Sequence, residues 1–264
     1  MPQHRTLLQH TATLTVERVE LQAPYAQWSP SYEVATQRLV LPASGATEFR
    51  TDEQTILLDG LTAVCLPSGQ RYQMKACVDA ARASIVVSAP TGADQTLPPP
   101  AAWVLTPRAL WQLRRHWRAL ALGHPSGAST QALLQTMLQQ AAPAARGQGR
   151  SAAAVQRAQR FMVARTAEMG AAPWTLHEVA DAACCSLFHL ARSFRRHTGL
   201  SLHGYRQRLR LATALQRLEE GERDLAALAH ELGYSSQSHL GTAFLSELGV
   251  TPAQVRRELT SAGI

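Results

Sequence analysis

Lysine is almost absent from this 264-residue chain: of its 26 basic residues only Lys75 is not arginine. Such a bias can follow genome composition, so it carries no guanidinium-specific chemistry by itself. No window approaches 18 consecutive apolar residues, which excludes a membrane-crossing helix as an expectation. The N-terminus, MPQHRTLLQHTATL, lacks an apolar stretch of the kind a secretory signal needs. The four cysteines, Cys65, Cys77, Cys184 and Cys185, form no C-x-x-C pair and no zinc-ligand spacing. A reducing cytoplasm is the compartment this usage predicts. Residues 11–105 contain no histidine at all. A metal centre there would lack the several histidines and carboxylate that oxygen-activating sites use. Phosphate-cradling glycine loops, nucleophile elbows and dinucleotide fingerprints are missing as well.

What is present divides the chain by period. Residues 11–105 hold short runs rich in Val, Ile, Thr and Leu, such as TATLTVERVEL, ATQRLVLP, QTILLDGLTAVCLP and ASIVVSAP. Pro, Gly, Ser and Asp separate them, which predicts several short strands in a sandwich or barrel. TLPPPAAW (96–103) closes this region with a stiff, non-helical stretch. From Pro107 the pattern turns helical, with Leu110, Leu113, Trp117 and Leu120 on one stripe and a second amphipathic run at TQALLQTMLQQAA. APAARGQGRS (142–151) reads as a linker. Residues 152–264 are nearly all helical, with helices expected at 152–169, 175–182, 186–197, 201–219, 224–231, 235–246 and 251–259. Thr175 with Glu178 has capping-box spacing, Ser186 and Ser236 stand where N-caps belong, and Gly199, Gly233 and Gly249 where helices stop.

A repeat runs through this helical third. HLARSF at 189–194 returns as HLGTAF at 239–244, an offset of fifty that also links Gly199 with Gly249. Each copy reads as helix, tight turn, second helix and glycine stop. Val179, Ala180, Ala183, Leu190 and Phe194 form the inward face of the first; Leu225, Leu228, Ala229, Leu232, Leu240 and Phe244 form that of the second. This is the pattern of tandem helix-turn-helix motifs, about 175–197 and 224–246, whose second helices can enter a major groove.

The pieces A-x-x-x-x-x-S-x-x-x-L-x-R-x-F-R-R-x-T-G (180–199), YRQRLRLATA (205–214) and L-G-Y-S-S-Q-S-H-L…A-F…G-V-T-P (232–252) resemble the DNA-binding domain of the AraC/XylS family of bacterial transcription regulators. QRLVLPASGATEF is similar, more loosely, to the cupin-like sensor domains carried upstream in that family. The resemblance implies an α+β multidomain chain. Its N-terminal β-rich cupin-like barrel (1–105) would sense an effector, with two following helices (106–141) used in dimerisation. After the linker (142–151) comes a C-terminal all-α domain (152–264) with two helix-turn-helix motifs joined by a long helix. It also implies promoter double-stranded DNA and RNA polymerase as partners, an unidentified small-molecule effector, a homodimer, and activation more often than repression. No enzyme activity, cofactor, metal or membrane partner is expected.

On the first recognition helix Leu190 and Phe194 point inward, leaving Ser186, Leu187, Phe188, Ala191, Arg192, Arg195 and Arg196 for DNA. Arg192 is placed to pair bidentately with guanine, Phe188 to press on a thymine methyl, and Arg195 and Arg196 to hold phosphates. The second helix offers Ser236, Gln237, Ser238, Gly241 and Thr242. Thr242, Leu245 and Ser246 stand where the first copy has its arginines, a departure from the basic second helix common in the family. Residues 151–212 hold nine arginines against three acids, a net +6, while residues 213–264 hold four against seven, a net −3. Because phosphate neutralisation supplies much of DNA affinity, the first motif is expected to be the anchor. His189 and His239 read as structural helix residues, and Cys184 and Cys185 as buried small packing. In the β region Tyr25, Trp28, Tyr32, Phe49 and Tyr72 could line a cavity, with Arg38, Arg50 or Arg71 orienting an anion. Trp28, Tyr32, Arg38, Phe49 and Tyr72 are the ligand candidates. Control by thiol chemistry, through Cys65 and Cys77, or without any ligand is the alternative. An enzyme of the cupin type with a DNA-binding appendage ranks below both.

Overall fold

The structure is a computed structural model that describes residues 3–21, 27–52, 54–77, 82–89, 97–99, 101–124, 129–144, 149–168 and 174–260. Strands come first: β1 (Gln3–His10), β2 (Thr15–Leu21), β3 (Tyr32–Glu33), β4 (Arg38–Ser44), β5 (Thr47–Thr51), β6 (Thr55–Leu58), β7 (Thr62–Leu66), β8 (Arg71–Ala76), β9 (Arg82–Ser88) and β10 (Ala102–Val104). Helices α1 (Pro107–Ala121) and α2 (Thr130–Gln140) follow, then a strand, β11 (Ala142–Ala144). The rest is helical: α3 (Arg150–Ala167), α4 (Leu176–Ala182), α5 (Leu187–Thr198), α6 (Leu202–Glu219), α7 (Leu225–Glu231), α8 (Gln237–Leu248) and α9 (Pro252–Thr260). The fold is the expected one, a β-rich domain ahead of an all-α domain with two helix-turn-helix units and a long joining helix, α6. No described helix is long and apolar enough to cross a membrane.

The strands form two antiparallel sheets, ordered β1-β2-β9-β4-β7-β10-β11 and β3-β8-β5-β6. Alternation along each strand gives the larger sheet two apolar faces. Leu21, Val40, Val64 and Val86 face the smaller sheet and meet Val34, Phe49, Leu58 and Met74. Val16, Leu39, Leu41, Ala63, Ile85 and Val87 face the other way, into a core shared with the helices. A sheet covered on both sides explains why β7 (TAVCL), four apolar residues after Thr62, is buried throughout.

Three expectations change. The strands begin at Gln3 rather than after residue 10, so His4 and His10 lie on β1 and not before the sheet. This strand is at an edge and carries Gln, His, Arg and Thr, which hides it from an apolar pattern. The expected linker starts with β11, whose register sets Ala142 against Val104 and Ala144 against Ala102. Pro143 is tolerated there because β11 is an edge strand, where a missing N–H breaks no ladder. The third change concerns the expected dimer helices. The α1 stripe of Leu110, Leu113 and Trp117 is buried within the chain, and α1 packs on β1, α6, α8 and α9. That stripe therefore offers no seam for a second copy. Thr106 caps α1 by accepting from the Ala109 N–H, with Pro107 in the first turn.

The two domains meet at a buried polar joint. Asp59, in the turn from β6 to β7, is fully buried. One carboxylate oxygen accepts from the Leu61 N–H at 2.9 Å and from the Thr62 hydroxyl at 2.8 Å. The other accepts from the phenol of Tyr205, on α6. Gln159 of α3 donates to that phenol at 3.1 Å. Burial pushes the Asp59 carboxyl above its ordinary 3.8, against the pull of the donors from Tyr205, Leu61 and Thr62. Around the joint, Arg114 of α1 pairs with Glu219 of α6, and Arg115 pairs with Glu258 of α9 at 2.9 Å.

Tyr205→Phe leaves a buried carboxylate oxygen without its donor, which costs about 1–3 kcal/mol. A group raised in the folded state gives stability that is complete below its unfolded value and is lost as pH rises through the folded value. Removing a donor raises the folded value further, so the deficit of Tyr205→Phe grows as pH rises through the parent's folded value, which lies above 3.8. Urea unfolding of both proteins from acid to neutral pH measures this; a constant deficit contradicts it.

Candidate nucleic-acid interface

Each motif is set by its caps. Thr175 and Glu178 form a full capping box at the start of α4, and the Ser186 side chain starts α5 by accepting from the His189 N–H. Asp224 and Ser236 do the same for α7 and α8. Gly199 and Gly249 end the recognition helices in the left-handed conformation. The buried pairs reveal the true period. Val179 matches Leu228 and Ala180 matches Ala229 at an offset of 49, while Leu190 matches Leu240 and Phe194 matches Phe244 at fifty; all are buried. The second turn therefore has one more residue than the first. In the second turn the left-handed position is Gly233, at φ 74°; in the first it is Cys184, at φ 55°. A Cβ on Gly233 would sit 2.5 Å from the mobile end of the Arg210 side chain, so it is the left-handed backbone rather than that contact that favours glycine there.

Helix α5 presents Phe188, 81% exposed, with Ala191, Arg192, Arg195 and Arg196 also exposed. Phe188, Arg192 and Arg195 follow one another at intervals of four and three, one stripe of the helix. Arg192 and Arg195 have no partner among the described residues. Arg196 differs, since its guanidinium donates to the Ser151 hydroxyl on α3 at 3.1 Å. Leu187 is half-buried against the core, and Ser186 is occupied as the cap, so both belong to the scaffold of the motif. On α8, Gln237, Ser238 and Thr242 are exposed and Gly241 is half-buried. Ser236 is again a cap, and the Thr242 hydroxyl donates to the Ser238 carbonyl at 3.0 Å. Leu245, in the place of an arginine, is 52% exposed.

The histidines of the repeat serve their own turns. His189 lies 3.5 Å from the Ser193 hydroxyl, and His239 lies 3.1 Å from the Ser235 hydroxyl and stacks edge-on to Tyr234. No group of three metal-ligating side chains occurs among the described residues. Cys184 is exposed rather than buried, because its backbone turns the side chain outward, and Cys185 is half-buried.

Both recognition helices end against the N-terminal region. A Cβ on Gly199 would meet the Ala142 Cβ of β11 at 3.1 Å, and one on Gly249 would meet the Arg108 guanidinium of α1 at 3.0 Å. Side chains of the long helices complete the scaffold in ways that the apolar pattern does not show. Arg157 of α3 donates to the Ala183 carbonyl at 2.6 Å, closing the end of α4, and Arg206 stacks over Trp174 at 4.1 Å.

In the β domain, four of the five ligand candidates come together. Tyr32 and Tyr72 are opposite each other with ring centres 5.8 Å apart, and Phe49 stacks on Tyr72 at 5.6 Å. Arg38 lies on the same side of β4 as Val40, toward the smaller sheet, and its charge acts on Tyr72. Trp28 does not join them. It packs under Arg50, 3.8 Å from its ring centre, and near Lys75, on the outer face of the smaller sheet. Arg71 is exposed, and Tyr25 lies outside the described residues. Burial pushes the Cys65 thiol up to about 11 and the Cys77 thiol up to about 12, and Cys65 donates to the Pro98 carbonyl at 3.1 Å. Neither is a ready thiolate; Cys65 lies on β7 of the larger sheet and Cys77 just after β8 of the smaller one.

Residues 179–258 match the helix-turn-helix domain family. A protein of Streptomyces lividans described as an AraC-like transcription regulator is 38% identical over 87 residues, which are 33% of this chain and 29% of that protein. The HTH-type transcriptional activator RhaS of Pectobacterium carotovorum is 31% identical over 83 residues, 31% of this chain and 30% of its own length. The chain thus spans about three-tenths of the curated relatives it matches. Among solved structures, ToxT from Vibrio cholerae aligns over 96% of this chain and all of its own, at 11% identity and a TM-score of 0.39. A cupin domain from Bordetella pertussis aligns over 33% of this chain and 92% of its own, at 13% identity and a TM-score of 0.27.

Cys184 holds a left-handed conformation that costs a residue with a Cβ about 1–2 kcal/mol, part of which glycine returns as unfolded-state entropy. Cys184→Gly is expected to raise stability by about 0.5–1 kcal/mol in chemical unfolding while leaving DNA binding unchanged. A loss of stability would show that the thiol makes a contact of its own.

Proposed function

We propose that this chain, an AraC-like helix-turn-helix protein by its residues 179–258, is a sequence-specific DNA-binding transcription regulator of the cytoplasm. The observation that carries this reading is the stripe of Phe188, Arg192 and Arg195 on α5. It is exposed, two of its three members are cationic, and neither arginine has a partner among the described residues. Such a stripe supplies one guanidinium for a base edge, one for phosphate and an apolar ring for a thymine methyl. Helix α8 has the same scaffold without the charge, so it reads bases weakly through Gln237, Ser238 and Thr242. The first motif is the anchor.

The β domain is the sensing domain in this reading, and a small-molecule effector binds between the sheets at Tyr32, Arg38, Phe49 and Tyr72. A ligand that favours one arrangement of the domains shifts the population toward it, and with it the contacts to DNA and to RNA polymerase. The joint from Asp59 to Tyr205 is where that shift reaches the helix that joins both motifs. A homodimer would use a surface other than the α1 stripe.

Duplexes selected from a random pool by the full chain provide the target. On that target Arg192→Ala lowers affinity about ten- to hundredfold and relaxes preference at one base pair. Arg195→Ala weakens all sequences alike and reduces the salt slope by about one. Gln237→Ala has the smaller effect at equal salt; an equal or larger loss removes the first motif from its place as anchor. Failure to select any sequence overturns the regulator reading itself.

A further inference from the structure

Arg206, Arg208 and Arg210 alternate along α6, and only the middle one has an acid acting on it, Glu247. No carboxylate acts on Arg206 or Arg210, and neither guanidinium has a hydrogen bond or ion pair among the described residues. Standing at i and i+4, the two share one face of the helix. Burial, and then the charge of Arg206, pull the Arg210 guanidinium below its ordinary value. Both remain cations, since arginine keeps its proton in proteins. Each is half-buried rather than sealed. Of the Arg206 nitrogens only Nε is enclosed; its two Nη atoms and all three Arg210 nitrogens reach the surface.

Aromatic rings hold both side chains in place. Arg206 lies 4.1 Å from the centre of the Trp174 ring, which itself packs edge-on to Phe161 of α3 at 6.0 Å. Arg210 lies 5.7 Å from the centre of Tyr234, whose hydroxyl is buried without a partner among the described residues. A guanidinium against a ring keeps its fork of N–H donors free for an oxyanion. The rings also place the pair. Trp174 directly precedes Thr175, the cap of α4, so Arg206 reaches the entry of the first motif. Tyr234 lies in the second turn, just ahead of the Ser236 cap of α8, so Arg210 reaches the start of the second recognition helix. In such motifs the first helix crosses the DNA backbone and the start of the recognition helix approaches base edges. The two unpaired cations therefore stand between two chain ends that approach DNA.

We propose that Arg206 and Arg210 form a clamp on the joining helix for one backbone phosphodiester of the DNA, between the two grooves that α5 and α8 enter. Each guanidinium takes one non-bridging oxygen in a charge-assisted hydrogen bond. The proposal rests on the DNA-binding reading above and adds a contact that neither recognition helix supplies. A phosphate contact carries no sequence information, but it fixes the position of the protein on the duplex. Helix α8 has no arginine of its own. The clamp holds it at its groove from behind, so that Gln237, Ser238 and Thr242 meet base edges without charge of their own.

The full chain is measured in a salt series on a duplex that it selects from a random pool. Arg206→Gln and Arg210→Gln are each expected to weaken binding about tenfold, on selected and unrelated duplexes alike, and to reduce the salt slope by about one. Arg206→Lys keeps the slope. Neutral methylphosphonates, placed at one phosphate at a time, are expected to reveal a position between the two grooves that costs the parent about tenfold and the double glutamine variant nothing. This scan on the parent does not depend on any variant folding. A scan with no sensitive phosphate between the grooves overturns the proposal. So do glutamine variants with the parent's salt slope, since the arginines would then only support Trp174 and Tyr234. Inorganic phosphate that raises the Tm of the parent but not of the variants, while DNA binding is equal in all, assigns the site to a free anion and also overturns it. Selection separates the two readings. A pool that yields no duplex removes the regulator reading and the clamp with it, whereas a duplex sensitive to Arg192→Ala but not to either glutamine variant removes the clamp alone.

Discussion

Everything in this molecule is arranged around one hydrogen bond that crosses a domain boundary. Asp59 is fixed by its own turn, through Leu61 and Thr62, so it has no freedom to follow a partner. Tyr205 is fixed just as firmly, since its ring packs edge-on to Phe194 at 5.1 Å and its oxygen receives Gln159. A single phenol thus touches the core of the first recognition helix, the helix that enters the domain, and a loop of the β domain. Because both groups are buried, breaking the bond exposes neither to water unless the domains part. The two domains therefore share one apolar core instead of meeting across a wet surface.

The duplicated motif shows how one scaffold carries two roles. Apolar positions and caps are kept in both copies, and the outward positions diverge from a cationic stripe to an uncharged one with Leu245 at its edge. The added residue in the second turn means that the copies are not superposable units. Arg210 lies 5.7 Å from the centre of the Tyr234 ring, with its guanidinium where a side chain on Gly233 would go. Affinity and geometry are thus divided: α5 supplies charge, while α8 is held in place by α7, α1 and α9.

Much of this could be read from the sequence where a physical period was involved. The helices of residues 150–260 fall within a residue or two of their expected bounds, because caps and glycine stops mark them. The inward residues of both motifs are buried as their spacing requires, save Leu225, which is half-buried against the core. What could not be read depends on partners distant in the chain. Strand β1 is polar because it lies at an edge, and β11 is three residues long and visible only beside β10. The α1 stripe looks the same whether another subunit or this chain's own helices cover it. Trp28 differs from Tyr32 and Tyr72 only in which side of a sheet it takes. Asp59, in DGLT, looks like any turn aspartate until Tyr205, 146 residues away, is placed on it.

Helix α5 packs on β11, the edge strand of the larger sheet, and Gly199 ends that helix. A Cβ at position 199 would lie only 3.1 Å from the Ala142 Cβ, so the bare glycine is what lets the end of the helix and the edge of the sheet come together. The last strand of the β domain is thereby a neighbour of the first recognition helix as well as of β10.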